Sequence, residues 1–228
     1  MIIWENKGGK WMLILESNSQ SVAAESYRTL RTNIQYSSFD NPVKSIVLTS
    51  SEPGEGKSTT SANLALSFAQ DGKKVILIDC DLRKPVVHKE FQISNSRGLS
   101  EFLIGNVEFS KVVYKHESGL HVLPSGLVPP NPAEMLASRA MEHLLTQLEE
   151  KYDYIILDTP PVNAVTDSKI LSTKVDGTIL VVKYGYTKKD AVIEAVKGLR
   201  AVNANIIGTV FNGEENQRGK YYHYYKKD

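Results

Sequence analysis

Between Ser51 and Ser58 the chain reads Ser-Glu-Pro-Gly-Glu-Gly-Lys-Ser. Residue types in this order suit phosphate binding. Gly54 and Gly56 let the backbone wrap close to an anion, Lys57 can reach terminal phosphates, and Ser58 is placed to ligate Mg²⁺. The segment departs from the general G-x-x-x-x-G-K-[ST] pattern at its first position, where Ser51 stands for glycine. Its context outweighs that mismatch, because the apolar run SIVLTS at 45–50 leads into it and a helical pattern from Lys57 to Gln70 leads out. A strand, a glycine-rich loop and a helix N-terminus with oriented N–H groups are what such a loop needs.

Two more apolar runs end in acids. Val75-Ile-Leu-Ile-Asp79-Cys-Asp81-Leu-Arg83 sets Asp79 and Asp81 two residues apart, on one side of an extended chain, and Tyr154-Ile-Ile-Leu-Asp158-Thr-Pro-Pro161 ends the same way. Any one of these aspartates could merely cap a turn. Three beside a phosphate loop point to metal and catalytic work, and all three are expected to converge on the phosphates.

These residues need strands whose ends meet. Short apolar runs recur at 45–50, 74–79, 120–125, 154–159, 178–183 and 206–211, rich in Val, Ile and Leu without polar alternation. Strands covered on both faces read this way, as in a parallel sheet. Helical patterns lie between them, including one from Ala133 to Glu150 with Asn131 as expected N-cap and Pro132 at its first position. The expected fold is α/β: a doubly wound, mostly parallel sheet flanked by helices, of the P-loop NTPase kind. A further helix over about 22–36, with Ala23, Tyr27, Leu30 and Ile34 on one face, precedes the first strand. Residues 1–212 are expected to form one domain that includes this helix, and 213–228 a flexible tail.

Composition narrows the classes. With 27 basic against 26 acidic residues the net charge is +1, which removes the global argument for nucleic-acid binding. The single cysteine, Cys80, excludes an internal disulfide and fits a reducing compartment as a small packed residue. No apolar run approaches the roughly 20 residues of a membrane helix. Residues 1–16 lack the apolar core of a signal peptide and read as a flexible leader. Five histidines show no metal-ligand spacing. Arg83 and Lys84 fit phosphate contact, a subunit contact or solvated charge equally well.

The loop SSEPGEGKS, the second motif VILIDCDLR and the strand YIILDTPP together resemble the bacterial tyrosine kinases of capsule and exopolysaccharide systems. The resemblance runs from about Ser17 to Asp228 and includes Glu25-x-x-Arg28-x-x-Arg31, the stretch VPPNPAEML at 128–136 and a terminal tyrosine cluster. It implies an ATP- and Mg²⁺-dependent protein tyrosine kinase that autophosphorylates between subunits of a ring-shaped homo-oligomer, an octamer in the family, and regulates polysaccharide synthesis and export. ATP is expected at Pro53, Gly54, Glu55, Gly56, Lys57, Ser58, Thr59 and Asn212. Ser58, Asp81 and Asp158 are the expected metal shell, with Asp79 as base and Lys57 as catalytic cation. Glu25, Arg28 and Arg31 look like the family's subunit contact. The resemblance further implies a cytoplasmic protein recruited to the inner membrane face by a separate membrane adaptor, protein tyrosine substrates, a cognate phosphatase and no nucleic acid. The alternative is a partitioning-type switch ATPase, against which Glu52 counts, because that family carries a lysine at the second loop position.

Eleven tyrosines spread evenly over 228 residues would put about a quarter of one in a five-residue window, yet Tyr221, Tyr222, Tyr224 and Tyr225 share one. Charged residues flank them and no aliphatic residue accompanies them, so an exposed phosphoacceptor cluster is expected. From Gln217 to Asp228 the net charge is +3, and each phosphate adds about −1.5 to −2, enough to reverse the sign on full modification.

Overall fold

The computed structural model describes residues 13–36 and 42–213. The tyrosine cluster at 221–225 lies outside the described residues.

Seven strands form one sheet: β1 Ser45–Ser50, β2 Val75–Asp79, β3 Tyr114–Lys115, β4 His121–Leu123, β5 Tyr154–Asp158, β6 Gly177–Lys183 and β7 Ile206–Asn212. Their order is β3-β4-β2-β5-β1-β6-β7, with β3 antiparallel to β4 and every other pair parallel. The doubly wound α/β architecture expected from the apolar runs is the one observed. Only β3 had no apolar signal, since both its residues are exposed.

Alternation within each strand divides the core, around which α1 Ile14–Ser17, α4 Val87–Glu90 and α5 Leu99–Leu103 add short helices to those below. Ile46, Leu48, Leu77 and Ile156 pack against α2 Val22–Tyr36 and α3 Lys57–Gln70 through Ala24, Tyr27, Leu64 and Phe68. Val47, Ile76, Ile78, Ile155 and Leu157 face the other way, onto Leu136 of α6 Pro132–Ala137, Met141 and Leu145 of α7 Arg139–Glu149, and Leu171 of α8 Asp167–Ser172. Leu180 and Val182 meet Ala195 and Leu199 of α9 Lys189–Ala201. Helix α3 is buried from Ser58 to Ala69, and the Phe68 ring stacks on Tyr154 with centroids 3.8 Å apart. Each such large side chain removed from water is worth about 1.5–3 kcal/mol.

Three local expectations are corrected. The helix expected over 133–150 is two helices broken at Ser138, whose extended ψ of 158° stops α6 and whose Oγ accepts from Met141 N at 3.3 Å to start α7. Asn131 sits at the N-cap position of α6 without making a side-chain cap bond. The end of the expected leader is core, because Leu13, Ile14 and Leu15 are buried at the start of the short helix Ile14–Ser17.

Candidate active site

The middle strands β2, β5 and β1 bring the site together. In register, Asp79 of β2 lies beside Asp158 of β5, and Asp158 beside Leu48 of β1, just ahead of the loop. The loop turns on Gly54 at φ +81° and Gly56 at φ +88°, left-handed values that a side chain would strain. A Cβ on Gly54 would meet nothing within 4 Å, so the turn requires glycine for its backbone and not for want of room.

Lys57 opens α3 and its ammonium lies 3.2 Å from Asp81 Oδ2, 3.7 Å from Asp158 Oδ2 and 3.1 Å from Ser58 Oγ. Burial alone would lower its pKa, but Asp158, Asp81 and Asp79 more than offset this and hold the charge on. Ser61 Oγ donates to Asp158 Oδ1 at 3.0 Å, while Asp158 Oδ2, fully buried, has no hydrogen-bond partner. A buried carboxylate oxygen without a hydrogen-bond donor is costly, and the Lys57 ammonium 3.7 Å away offsets part of that cost.

The two aspartates of β2 part company. Asp81 lines a cavity of about 800 Å³ that also presents Gly54, Lys57, Ser58, Thr59 and Arg83. Asp79 does not line it. Its Oδ1 accepts from Asp81 N at 3.2 Å and its Oδ2 from Val87 N at 3.1 Å, so it holds the segment after β2 in place. Burial, with Asp158 alongside, pushes the Asp79 carboxyl well above the usual range.

Glu55 faces away from the cavity. Its Oε2 accepts from Ser51 N at 2.8 Å and Glu52 N at 3.3 Å, and its Oε1 from Thr187 Oγ1 at 2.5 Å. Asn212, at the end of β7, donates its Nδ2 to Glu55 O at 2.8 Å. Both residues brace the loop from the β6–β7 side, leaving to Glu55 only its backbone for contact with a nucleotide. Pro53 and Thr59 line the cavity.

Glu25, Arg28 and Arg31 lie on one stripe of α2, but Arg31 is engaged within the chain: Nη1 donates to Ser67 O at 2.8 Å and Nη2 lies 3.3 Å from Asp71, at the C-terminal end of α3. Arg28 pairs with Glu25 at 2.9 Å and donates to Ser19 O at 2.7 Å.

One residue of the cavity had no signal in the sequence, and another took a partner the sequence did not offer. Glu90, on the short helix Val87–Glu90, is 8% exposed, lines the cavity and accepts from Thr59 Oγ1 at 2.9 Å, with Oε2 unpartnered. Burial and Asp158 push its carboxyl up to about 8. Arg83 forks onto the buried Asp167 with contacts of 2.9 and 3.0 Å, tying the cavity wall to the first turn of α8. An ion pair within the chain is none of the three readings the sequence left open for Arg83.

The AAA domain family matches residues 43–207. The tyrosine-protein kinase YwqD of Bacillus subtilis is 42% identical over 228 residues, covering 99% of this chain and 96% of that protein. The chain belongs to the bacterial tyrosine-protein kinases. The kinase domain of the Escherichia coli tyrosine kinase ETK superposes with a TM-score of 0.86 at 34% identity, covering 90% of this chain and 80% of that one. The septum site-determining protein MinD of Pyrococcus horikoshii, solved with Mg-ADP, shares the fold at 22% identity and a TM-score of 0.63, over 74% of this chain and 69% of that one. Placed in this kinase family, the cavity between loop and carboxylates is the candidate active site.

The residues present fit a magnesium nucleotide. Among the described residues there is no group of three His, Cys, Asp or Glu able to hold a metal alone. Mg²⁺ is ordinarily held by one or two carboxylates together with phosphates, which suits Ser58 and Asp81 on the cavity wall; Asp158 is fully buried and off that wall, its Oδ2 3.7 Å from Lys57 Nζ.

Proposed function

We propose that the chain transfers the γ-phosphoryl group of ATP to Tyr221, Tyr222, Tyr224 and Tyr225 on a neighbouring copy of itself. The observation that carries the nucleotide part is Lys57, buried between Asp81 and Asp158 at the head of a left-handed glycine turn. Bound Mg²⁺ would supply charge neutralisation between the phosphates, held by Ser58, Asp81 and Asp158. Loop amides around Gly54 and Gly56 bind and orient the phosphates, and Lys57 stabilises charge on the transferred group.

Asp79 is the proposed proton acceptor. An ordinary carboxyl near 3.9 lies about six units below a tyrosine near 10, so full deprotonation before attack is unfavourable. Burial raises the Asp79 carboxyl and narrows that gap, favouring a late proton transfer in which Asp79 gives up one of its two backbone N–H partners.

Assembly into a ring-like homo-oligomer through α2, activation by a separate membrane adaptor, reversal by a phosphatase and control of polysaccharide export belong to the same proposal. No helix among the described residues is long and apolar enough to cross a membrane, so attachment from the cytoplasmic side through an adaptor suits them. The test is intact-mass measurement of wild type and Lys57→Met with and without ATP and Mg²⁺. Wild type should gain phosphoryl groups and Lys57→Met should lose about 100-fold or more in rate while remaining folded. Equal labelling of the two would remove Lys57 from the mechanism.

A further inference from the structure

The turn between β6 and α9 reads Tyr184-Gly-Tyr186-Thr-Lys188-Lys189. The terminal cluster contains Tyr222-His-Tyr224-Tyr-Lys226-Lys227. Both follow Tyr-x-Tyr-x-Lys-Lys, so the chain carries its acceptor pattern twice.

The internal copy is accessible. Tyr184 is 61% and Tyr186 56% exposed, in a segment that is neither helix nor strand and that turns on Gly185 at φ +68°. Two other tyrosines with large exposure are built into regular structure, Tyr36 at the end of α2 and Tyr114 in β3. A kinase must draw the phenol into a cleft, which a turn permits more readily than a helix or a paired strand. The local charge favours the product as well. Lys183 Nζ lies 4.9 Å from the centre of the Tyr186 ring, and Lys188 and Lys189 follow at once, so a phosphate carrying about −1.5 to −2 would be among three cations.

We propose that Tyr184 and Tyr186 form a second phosphoacceptor site, read by a neighbouring copy through the same pattern as the tail. In the step, the bond from the γ-phosphorus to the β,γ-bridging oxygen breaks as the phenol oxygen bonds to that phosphorus. The phenol proton passes to the neighbour's acceptor carboxylate and ADP leaves. Tyr186 is one residue from Thr187, whose hydroxyl braces Glu55, so this phosphate would stand next to the loop's own support. The proposal rests on the tyrosine-kinase reading and deepens it.

The experiment uses the full chain with Tyr221, Tyr222, Tyr224 and Tyr225 all changed to Phe, incubated with ATP and Mg²⁺ and mapped by peptide mass spectrometry beside wild type. Residual phosphate on the 184–189 peptide is expected, and adding Tyr184→Phe with Tyr186→Phe should cut the remaining incorporation about tenfold. A labelled wild-type tail alongside an unlabelled tail-Phe chain, or label at Tyr36 or Tyr114 instead, overturns the second site and leaves the kinase reading standing. An unlabelled wild type overturns both.

Discussion

The phosphate loop has two unlike sides. Toward β2 and β5 it meets one lysine among three aspartates, a carboxylate oxygen of Asp158 without a hydrogen-bond partner, and an unpartnered oxygen on Glu90. Toward β6 and β7 it meets Glu55, whose two carboxylate oxygens are both occupied and whose carbonyl is held by Asn212. The first side stores electrostatic demand and the second removes freedom. Catalysis by positioning needs both, since charge that acts on a transferred phosphoryl group is effective only if the loop does not have to reorganise to present it.

Substitutions can break that contrast. The largest effect is expected within the charged side. Asp79→Asn should keep ATP binding and lose most transfer, about 100-fold or more, whereas Asp81→Asn should also raise the Mg²⁺ concentration needed for activity. Nucleotide binding by calorimetry and transfer rates across a Mg²⁺ series separate the two. Equal loss of metal affinity in both variants would merge the roles of a carboxylate that lines the cavity and one that does not.

Stability against pH tests the unpartnered side. In the folded chain Glu90 keeps its proton up to about pH 8, while the unfolded chain releases it near 4.5. The folded state therefore binds more protons between those values, and its stability falls as pH rises across that window. Glu90→Gln keeps an acceptor for Thr59 and cannot ionise. Relative to wild type it should gain about 2–4 kcal/mol between roughly pH 5 and pH 9, read from urea unfolding. A difference that does not change with pH would place the proton elsewhere.

The braced side should respond more mildly. Thr187→Val removes the donor to buried Glu55 and the acceptor for Lys183 N, and should cost about 1–3 kcal/mol of stability, read as a drop in thermal midpoint. It should raise the KM for ATP more than it lowers kcat. A kcat loss as large as that of Asp79→Asn would mean that the bracing side takes part in the chemistry.

The contrast also marks what the sequence could reveal. Both-face burial made β1, β2 and β5 legible as uniform apolar runs, but of the acids at the ends of β2 and β5 neither lines the cavity, and Asp81, two residues past Asp79, does. Glycine, lysine and hydroxyl spacing identified the loop because those residues lie within eight consecutive positions, Ser51 to Ser58. Glu55 and Asn212 were expected at the nucleotide, but neither lines the cavity, and their bracing of the loop depends on Thr187 and on a contact spanning 157 residues. Glu90 is one polar residue in Val87-His-Lys-Glu90, and its burial and its bond to Thr59, 31 residues away, appear only in the fold. Arg31 offered a stripe for another subunit, and what the sequence did not show is that its Nη1 and Nη2 also reach the end of α3 within the chain.

Transfer between copies is the central claim, and mixing two defective chains tests it most directly. One carries Lys57→Met with its tail intact, and the other is active but has Phe at Tyr221, Tyr222, Tyr224 and Tyr225. After incubation with ATP and Mg²⁺ the chains are separated and their masses measured. Phosphate is expected on the tail of the Lys57→Met chain, which that chain cannot have placed there itself. An unmodified Lys57→Met chain, in a mixture prepared beside a wild type that labels normally, would contradict it.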